Sequence, residues 1–293
     1  MTKQIEIEKE IFKDKSKTFS FAALIFEEEL LEDVTKLYFV LRSIDDIADS
    51  FCDETKMDKL EKNFDDSSSN DQILKNYYFL KSKYKIPDYA FREFLSCMRL
   101  DLKSVRLESE DQLLSYCYGA AGTVGILMCY LMRIKNKKAY YHAVDLGIAM
   151  QITNICRDVW EDFDNDKIYL NELVDTNSDL LSQEQVNLVR VQKIGLAEKY
   201  YESGLRGLKY LPFRCIIAIL CAAIWYREIG RNISKDTPKN HRVKITLPRK
   251  ITLIFTDIFP TFFRIVLSQS IKKHDKLLHR PLSNFRYKNN ERV

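Results

Sequence analysis

A chain of 293 residues that is 46% hydrophobic and 30% charged can bury a substantial core, as one large domain or two ordinary ones. A net charge of +4 is too weak to argue for nucleic acid, and none is expected as a partner, but it suits anionic small ligands or an acidic membrane surface. Only 8 glycines and 6 prolines, set among long Leu/Ile/Lys/Glu segments, exclude a strand-rich sandwich or a Rossmann domain and leave an all-α class.

In chain order, residues 1–18 are charged throughout, so no signal peptide is expected. KSKTFSFA follows, and its Ser16, Thr18 and Ser20 could cap a helix or touch an anion. Residues 27–51 form an amphipathic helix, with Leu30, Val34, Leu37, Leu41 and Ile44 at helical spacing. Tyr38, Arg42, Asp45, Asp46 and Asp49 carry its polar side. Residues 53–75, centred on DDSSSND, read as a surface loop. Residues 75–107 read as one or two helices broken near Pro87. Residues 110–134 are helical but hold Gly119, Ala120, Ala121, Gly122 and Gly125, a cluster that calls for close packing, a kink or room for a ligand.

Residues 138–163 form the next helix, ending in the polar stretch QITNICRDVWED. A turn-rich joint over 175–185 precedes helices over 183–210 and 212–233. The longest apolar run, Cys215 to Tyr226, reads as a core helix and is too short to span a bilayer. After a basic loop at 234–242, residues 247–275 read as a core helix rather than a membrane-resting amphipathic surface. The tail from Pro281 is expected to be basic and frayed. The seven cysteines show no CxxC or Cys/His cluster and read as buried free thiols of a reducing compartment.

Two polar rows carry the chemistry. Asn154, Asp158 and Asp162 share one helix face with Gln151 on or beside them, and Asp45 and Asp49 make a second row. Carboxylates so close together need a counter-charge. If the rows face each other, their oxygens make a cage for Mg²⁺, which commonly binds through a few carboxylates plus substrate phosphates. Arg42 and Arg157 place bidentate anion donors beside these acids. No P-loop, GxGxxG, GxSxG or HExxH is present, and His142, His241, His274 and His279 are scattered, so no histidine-based metal or triad mechanism is expected. Departure of a diphosphate also needs a dry aromatic-lined space, for which Phe19, Tyr38, Tyr116, Tyr118 and Tyr226 are candidates.

SKTFSFA, LYFVLRSIDDIAD, YCYGAAGTVG and QITNICRDVWEDFDNDKIYL together resemble the head-to-head prenyl synthases, a family of squalene, dehydrosqualene and phytoene synthases. The resemblance runs from about Ser16 to about Val243. It implies an isoprenoid synthase fold, a single helical bundle around a central cavity. It also implies condensation of two allylic diphosphates through a cyclopropyl intermediate with two or three Mg²⁺, and NADPH only for squalene formation. By resemblance, Asp45, Asp49, Asn154, Asp158 and Asp162 are metal ligands, and Tyr116 takes part in the chemistry. Ser16, Lys17, Thr18, Phe19, Tyr38, Arg42, Gln151, Arg157, Tyr226 and Arg242 resemble substrate contacts. Ala120, Ala121, Gly122, Val124 and Gly125 would line the chain pocket. Trp160 stands where the family often has a small residue, and DDIAD replaces the DELVD common in phytoene synthases.

The expectation is therefore a single all-helical domain over 1–293, with a core of about 16–275. It lies in the cytoplasm, with peripheral contact to the inner face of a membrane and no C-terminal anchor. It joins two geranylgeranyl diphosphates to phytoene, with joining of two farnesyl diphosphates as the alternative. A non-catalytic helical adaptor on membranes and a single-substrate cyclase are the competing classes; the second acidic motif does not read as the NSE/DTE type of the cyclases.

Overall fold

The structure is a computed structural model that describes residues 2–49, 52–66, 68–174, 182–233, 237–239, 241–267, 274–283 and 285. Thirteen α-helices account for most of these residues. The first six are α1 (Thr2–Lys15), α2 (Lys17–Ala23), α3 (Glu28–Asp49), α4 (Glu54–Lys62), α5 (Gln72–Tyr84) and α6 (Asp88–Leu100). Then come α7 (Glu110–Cys117), α8 (Thr123–Leu131), α9 (Lys138–Asp164), α10 (Gln183–Arg206), α11 (Phe213–Arg231), α12 (Leu247–Leu253) and α13 (Phe259–Leu267). Two short strands, β1 (Val105–Arg106) and β2 (Lys167–Ile168), pair in parallel and tie the end of α9 to the segment after α6.

The 27-residue α9 is the axis of the bundle and packs against α7, α8, α10 and α11. Its apolar positions Val144, Ile148, Ile152 and Ile155 recur at helical spacing and are buried. The glycines explain how neighbours come so close. A Cβ on Gly125 would lie 2.3 Å from the Ala143 carbonyl oxygen, and one on Gly147 would lie 2.3 Å from that of Ala121. Tyr118–Gly122 forms a single π-helical turn between α7 and α8, so the glycine cluster serves both a distortion and tight packing. The stretch Glu110–Leu131 is long and apolar enough to cross a bilayer, but most of it is buried within the bundle.

Several expectations are corrected. Residues 53–75 are not one loop: α4 lies there, because Asp53 caps it and Met57, Leu60 and Phe64 present an apolar stripe to the core. Cys52 is exposed while the other six free cysteines are buried. Residues 247–267 are not a core helix. Two helices joined by a π-helical turn bury Leu253 and Ile258 but leave Leu247, Ile251, Phe255, Phe259, Phe263 and Leu267 exposed. The chain is still docked beyond Pro281, since Leu282 is fully buried and Phe285 packs on Tyr118. Residues 286–293 lie outside the described residues, as does part of the 175–185 joint.

Candidate active site

One cavity of about 830 Å³ runs through the bundle. One face of α9 forms its floor. Ala139, Ala143, Leu146, Gly147 and Met150 line it toward the N-terminal end of the helix, and Asn154, Asp158 and Asp162 toward the C-terminal end. The helical period thus converts a sequence that turns from small and apolar to acidic into a cavity with an apolar end and an acidic end. On α3 the same period puts Tyr38, Arg42, Asp45 and Asp49 into the cavity and leaves Asp46 beside it.

Arg42 donates to Asp45 at 2.7 Å and to Asp46 at 2.5 Å. Arg157 grips Asp158 with two donors, Nε at 2.8 Å, and Arg242 donates to the same carboxylate at 2.9 Å. Lys167 of β2, 7% exposed, bonds Asp49 and so draws the end of α3 to the end of α9. Both acidic rows therefore reach one end of one cavity.

The titration of these acids reports their crowding. Burial, then the neighbouring Asp49, pushes Asp45 up to about 7, with Arg42 opposing. Asp162 is raised well above the usual carboxylate range by burial, then by Asp158 of its own helix and Asp49 of α3. Arg157 is raised because the hydrogen bond and charge of Asp158 outweigh the effect of its burial. Burial opposes charge on these carboxyls, and the protein supplies too few cations to offset it. The Oδ1 of Asn154 is buried without a hydrogen-bond partner. A hard cation with oxygen ligands fits both observations, and Asp45, Asp49, Asn154, Asp158 and Asp162 are oxygen donors of that kind.

Most of the predicted residues line the cavity: Ser16, Phe19, Gln151, Tyr226, Tyr116, Ala120, Ala121, Val124, Gly125 and Arg242 join those already named. Phe19 stacks on Tyr226 at 4.6 Å. Three do not line it. Lys17 points outward, Thr18 accepts a hydrogen bond from Lys250, and Gly122 faces Tyr118 and Val144. Ser16 precedes α2 but makes no side-chain cap. Tyr118, a candidate for the lining, is instead buried against Phe285 with its hydroxyl on Glu93. Trp160 turns away from the acidic row, under the Lys239 ammonium 4.5 Å from its ring centroid.

The sequence reading missed Asp101, Lys167 and Tyr169. Tyr116 and Tyr169 both donate to Asp101, at 2.8 and 2.7 Å. Burial raises Asp101 to about 6, against those two hydrogen bonds. A lone acid at the end of an apolar helix was the available signal, but its partners are 15 and 68 residues away. Three of the four histidines also converge, around Asp145, contrary to the scattered reading.

These shifts have a testable sign. Asp45, Asp101 and Asp162 titrate higher folded than the roughly 3.9 of an unfolded Asp, so the folded chain holds more protons. The metal-free chain should lose stability as pH rises from about 4 to about 7. Thermal melts in chelator at about pH 5 and pH 8 should show the lower midpoint at pH 8. A higher midpoint at pH 8 would contradict the reading.

Residues 12–249 match the family model for squalene/phytoene synthase. The chain is 32% identical over 179 residues to a 15-cis-phytoene synthase of Enterobacter agglomerans, an alignment covering 58% of this chain and 60% of that one. It is 29% identical over 244 residues to a 4,4'-diapophytoene synthase of Staphylococcus haemolyticus, covering 77% and 86%. The crystal structure of a dehydrosqualene synthase in complex with ligand superposes with a TM-score of 0.77 at 26% identity, over 86% of this chain and 94% of that one. The chain thus spans about three fifths of the Enterobacter agglomerans phytoene synthase that it matches.

Proposed function

The chain belongs to the squalene/phytoene synthase family, and we propose that it joins two prenyl diphosphates head to head in the α3/α9 cavity, as one transferase domain. The observation that carries this reading is the convergence of two acidic rows and three arginines, Arg42, Arg157 and Arg242, at one end of a cavity whose other end is largely apolar. Mg²⁺ held by Asp45, Asp49, Asn154, Asp158 and Asp162 would neutralise the diphosphate as it departs. Arg42 and Arg157 would exchange their carboxylate partners for phosphate oxygens. Tyr38 is raised to about 12, chiefly by burial, so its phenol stays neutral and its ring can face a developing cation. Tyr116 is held by Asp101 and keeps its hydroxyl at a fixed place on the cavity wall. The apolar half of the α9 face excludes water from the carbon chains.

We take the substrate to be geranylgeranyl diphosphate and the product to be phytoene, on the likeness to phytoene synthases. The second reading, two farnesyl diphosphates, is favoured by the longer alignment with the diapophytoene synthase. Incubation of the full chain with Mg²⁺ and each labelled diphosphate separates them: C40 hydrocarbon is expected, and C30 with no C40 would overturn the assignment. NADPH enters only if the C30 product proves to be squalene.

The site of action we propose is the inner face of a membrane. Leu208, Leu211 and Ala222 contribute both to the cavity and to the apolar cluster under α12 and α13. Beyond that cluster lies the exposed face of Phe255, Phe259 and Phe263, with Arg249, Lys250 and Arg264 against the single acid Asp257 in the same stretch. Triple substitution of those phenylalanines by serine should release the chain from sedimenting anionic vesicles. Undiminished sedimentation would sink the idea.

A further inference from the structure

Asp145 lies on α9 thirteen residues before Asp158, about 20 Å along the helix from the acidic end of the cavity. Its carboxylate is 0% exposed. A carboxylate buried that deeply needs partners, and these are unusual. His274 Nε2 lies 2.8 Å from Asp145 Oδ2, and His279 Nε2 lies 2.5 Å from Oδ1. Ser203 of α10 donates to Oδ2 at 2.5 Å. His142, one turn earlier on α9, completes the group, so three of the chain's four histidines surround one buried acid.

The His142 ring has a defined orientation. Its Nδ1 is 2.7 Å from the Ser203 carbonyl oxygen, a distance that an N–H donor explains. The lone pair is then on Nε2. A metal-bound histidine usually donates its second ring N–H to a carbonyl or carboxylate in this way. Ligand atoms of His142, Asp145 and His274 all lie within 4.8 Å of one another.

We propose that His142, Asp145 and His274, with His279 beside them on the Asp145 carboxylate, bind a transition-metal ion of the Zn²⁺ class that ties the C-terminal segment to the bundle. Imidazoles with one carboxylate suit Zn²⁺ and do not suit Mg²⁺, which prefers oxygen. In a tetrahedral zinc site the ligand atoms stand about 3.3 Å apart. The contacts of 2.8 and 2.5 Å on Asp145 need open by less than about 1 Å to reach that spacing. The surroundings hold the ligands in place. Tyr200 of α10 donates to the Leu278 carbonyl at 2.8 Å, fixing the segment between the two C-terminal histidines. Tyr141 packs near the rings of His274 and His279. Ser203 serves both Asp145 and the orienting bond to His142.

His142 also lines the apolar end of the cavity, away from the acidic rows, so Mg²⁺ and the second metal have separate ligands. The full chain, stripped with chelator and supplied with excess Mg²⁺ to occupy the acidic cavity, is titrated with Co²⁺ and then Zn²⁺. One equivalent of Co²⁺ with the visible absorption of tetrahedral coordination, displaced by Zn²⁺, is expected. H274A/H279A should lose about 100-fold or more in affinity. H274Q, which keeps the side-chain volume, should lose the tetrahedral spectrum, and D158N should retain it. Binding by wild type no tighter than by H274A/H279A overturns the proposal and leaves a plain hydrogen-bonded cluster. Binding that D158N abolishes and H274Q keeps overturns it equally.

Discussion

Asp158→Asn should lower the rate of diphosphate release by about 10³-fold, the scale of losing a fixed electrostatic contact to the charge that develops in a reaction. The substitution keeps the side-chain shape but removes the charge that Arg157 and Arg242 both hold. It also removes one oxygen ligand from the acidic end of the cavity. Asp46→Asn is the contrast. Asp46 pairs with Arg42 but does not line the cavity, so its loss should cost no more than about tenfold, the worth of one ion pair. The measurement is diphosphate release with Mg²⁺ present, on protein whose helix content matches wild type. Equal losses for the two variants would mean that the α9 row is not where the diphosphate departs.

Gly147→Ala should destabilise the fold by about 3 kcal/mol and lower the melting midpoint by roughly 6–10 °C. The added methyl would sit 2.3 Å from the Ala121 oxygen and 2.6 Å from its carbonyl carbon. Both are backbone atoms, so no side chain can swing aside; the π-helical turn Tyr118–Gly122 and α9 must separate, and the cavity they line must deform. Gly195→Ala should do the reverse. Nothing lies within 4 Å of that position on α10, so the helix gains about 1 kcal/mol from the better helix former. Chemical denaturation of the pair reads out both signs. A neutral Gly147→Ala would show that the contact between the π-helical turn and α9 is looser than described.

The helices of the site were legible because their apolar residues keep a strict period. α3 and α9 were bounded to within a residue or two, and the polar rows on them followed from the same 3.6-residue spacing. That the rows reach one cavity was not derivable from periodicity; it depends on how α3 crosses α9 and on the Lys167 to Asp49 bond between distant segments. Asp101 and Tyr169 were invisible for the same reason. α4 was missed because low-complexity polar sequence beside it drew attention from Met57, Leu60 and Phe64. The outward face of α12 and α13 was misread because an apolar stripe has the same spacing whether it meets a core or a surface. The histidine cluster joins a helix to a segment 129 residues later, a distance over which sequence spacing carries no signal.

The central claim is that the cavity consumes two substrates for each product. Supplying the full chain with Mg²⁺ and one isotopically labelled prenyl diphosphate, and counting released diphosphate against extracted hydrocarbon, tests it most directly. Two diphosphates per hydrocarbon, with twice the carbon count of the substrate and no release in chelator, is the predicted result. One diphosphate per product, with the carbon count of a single substrate, would contradict it.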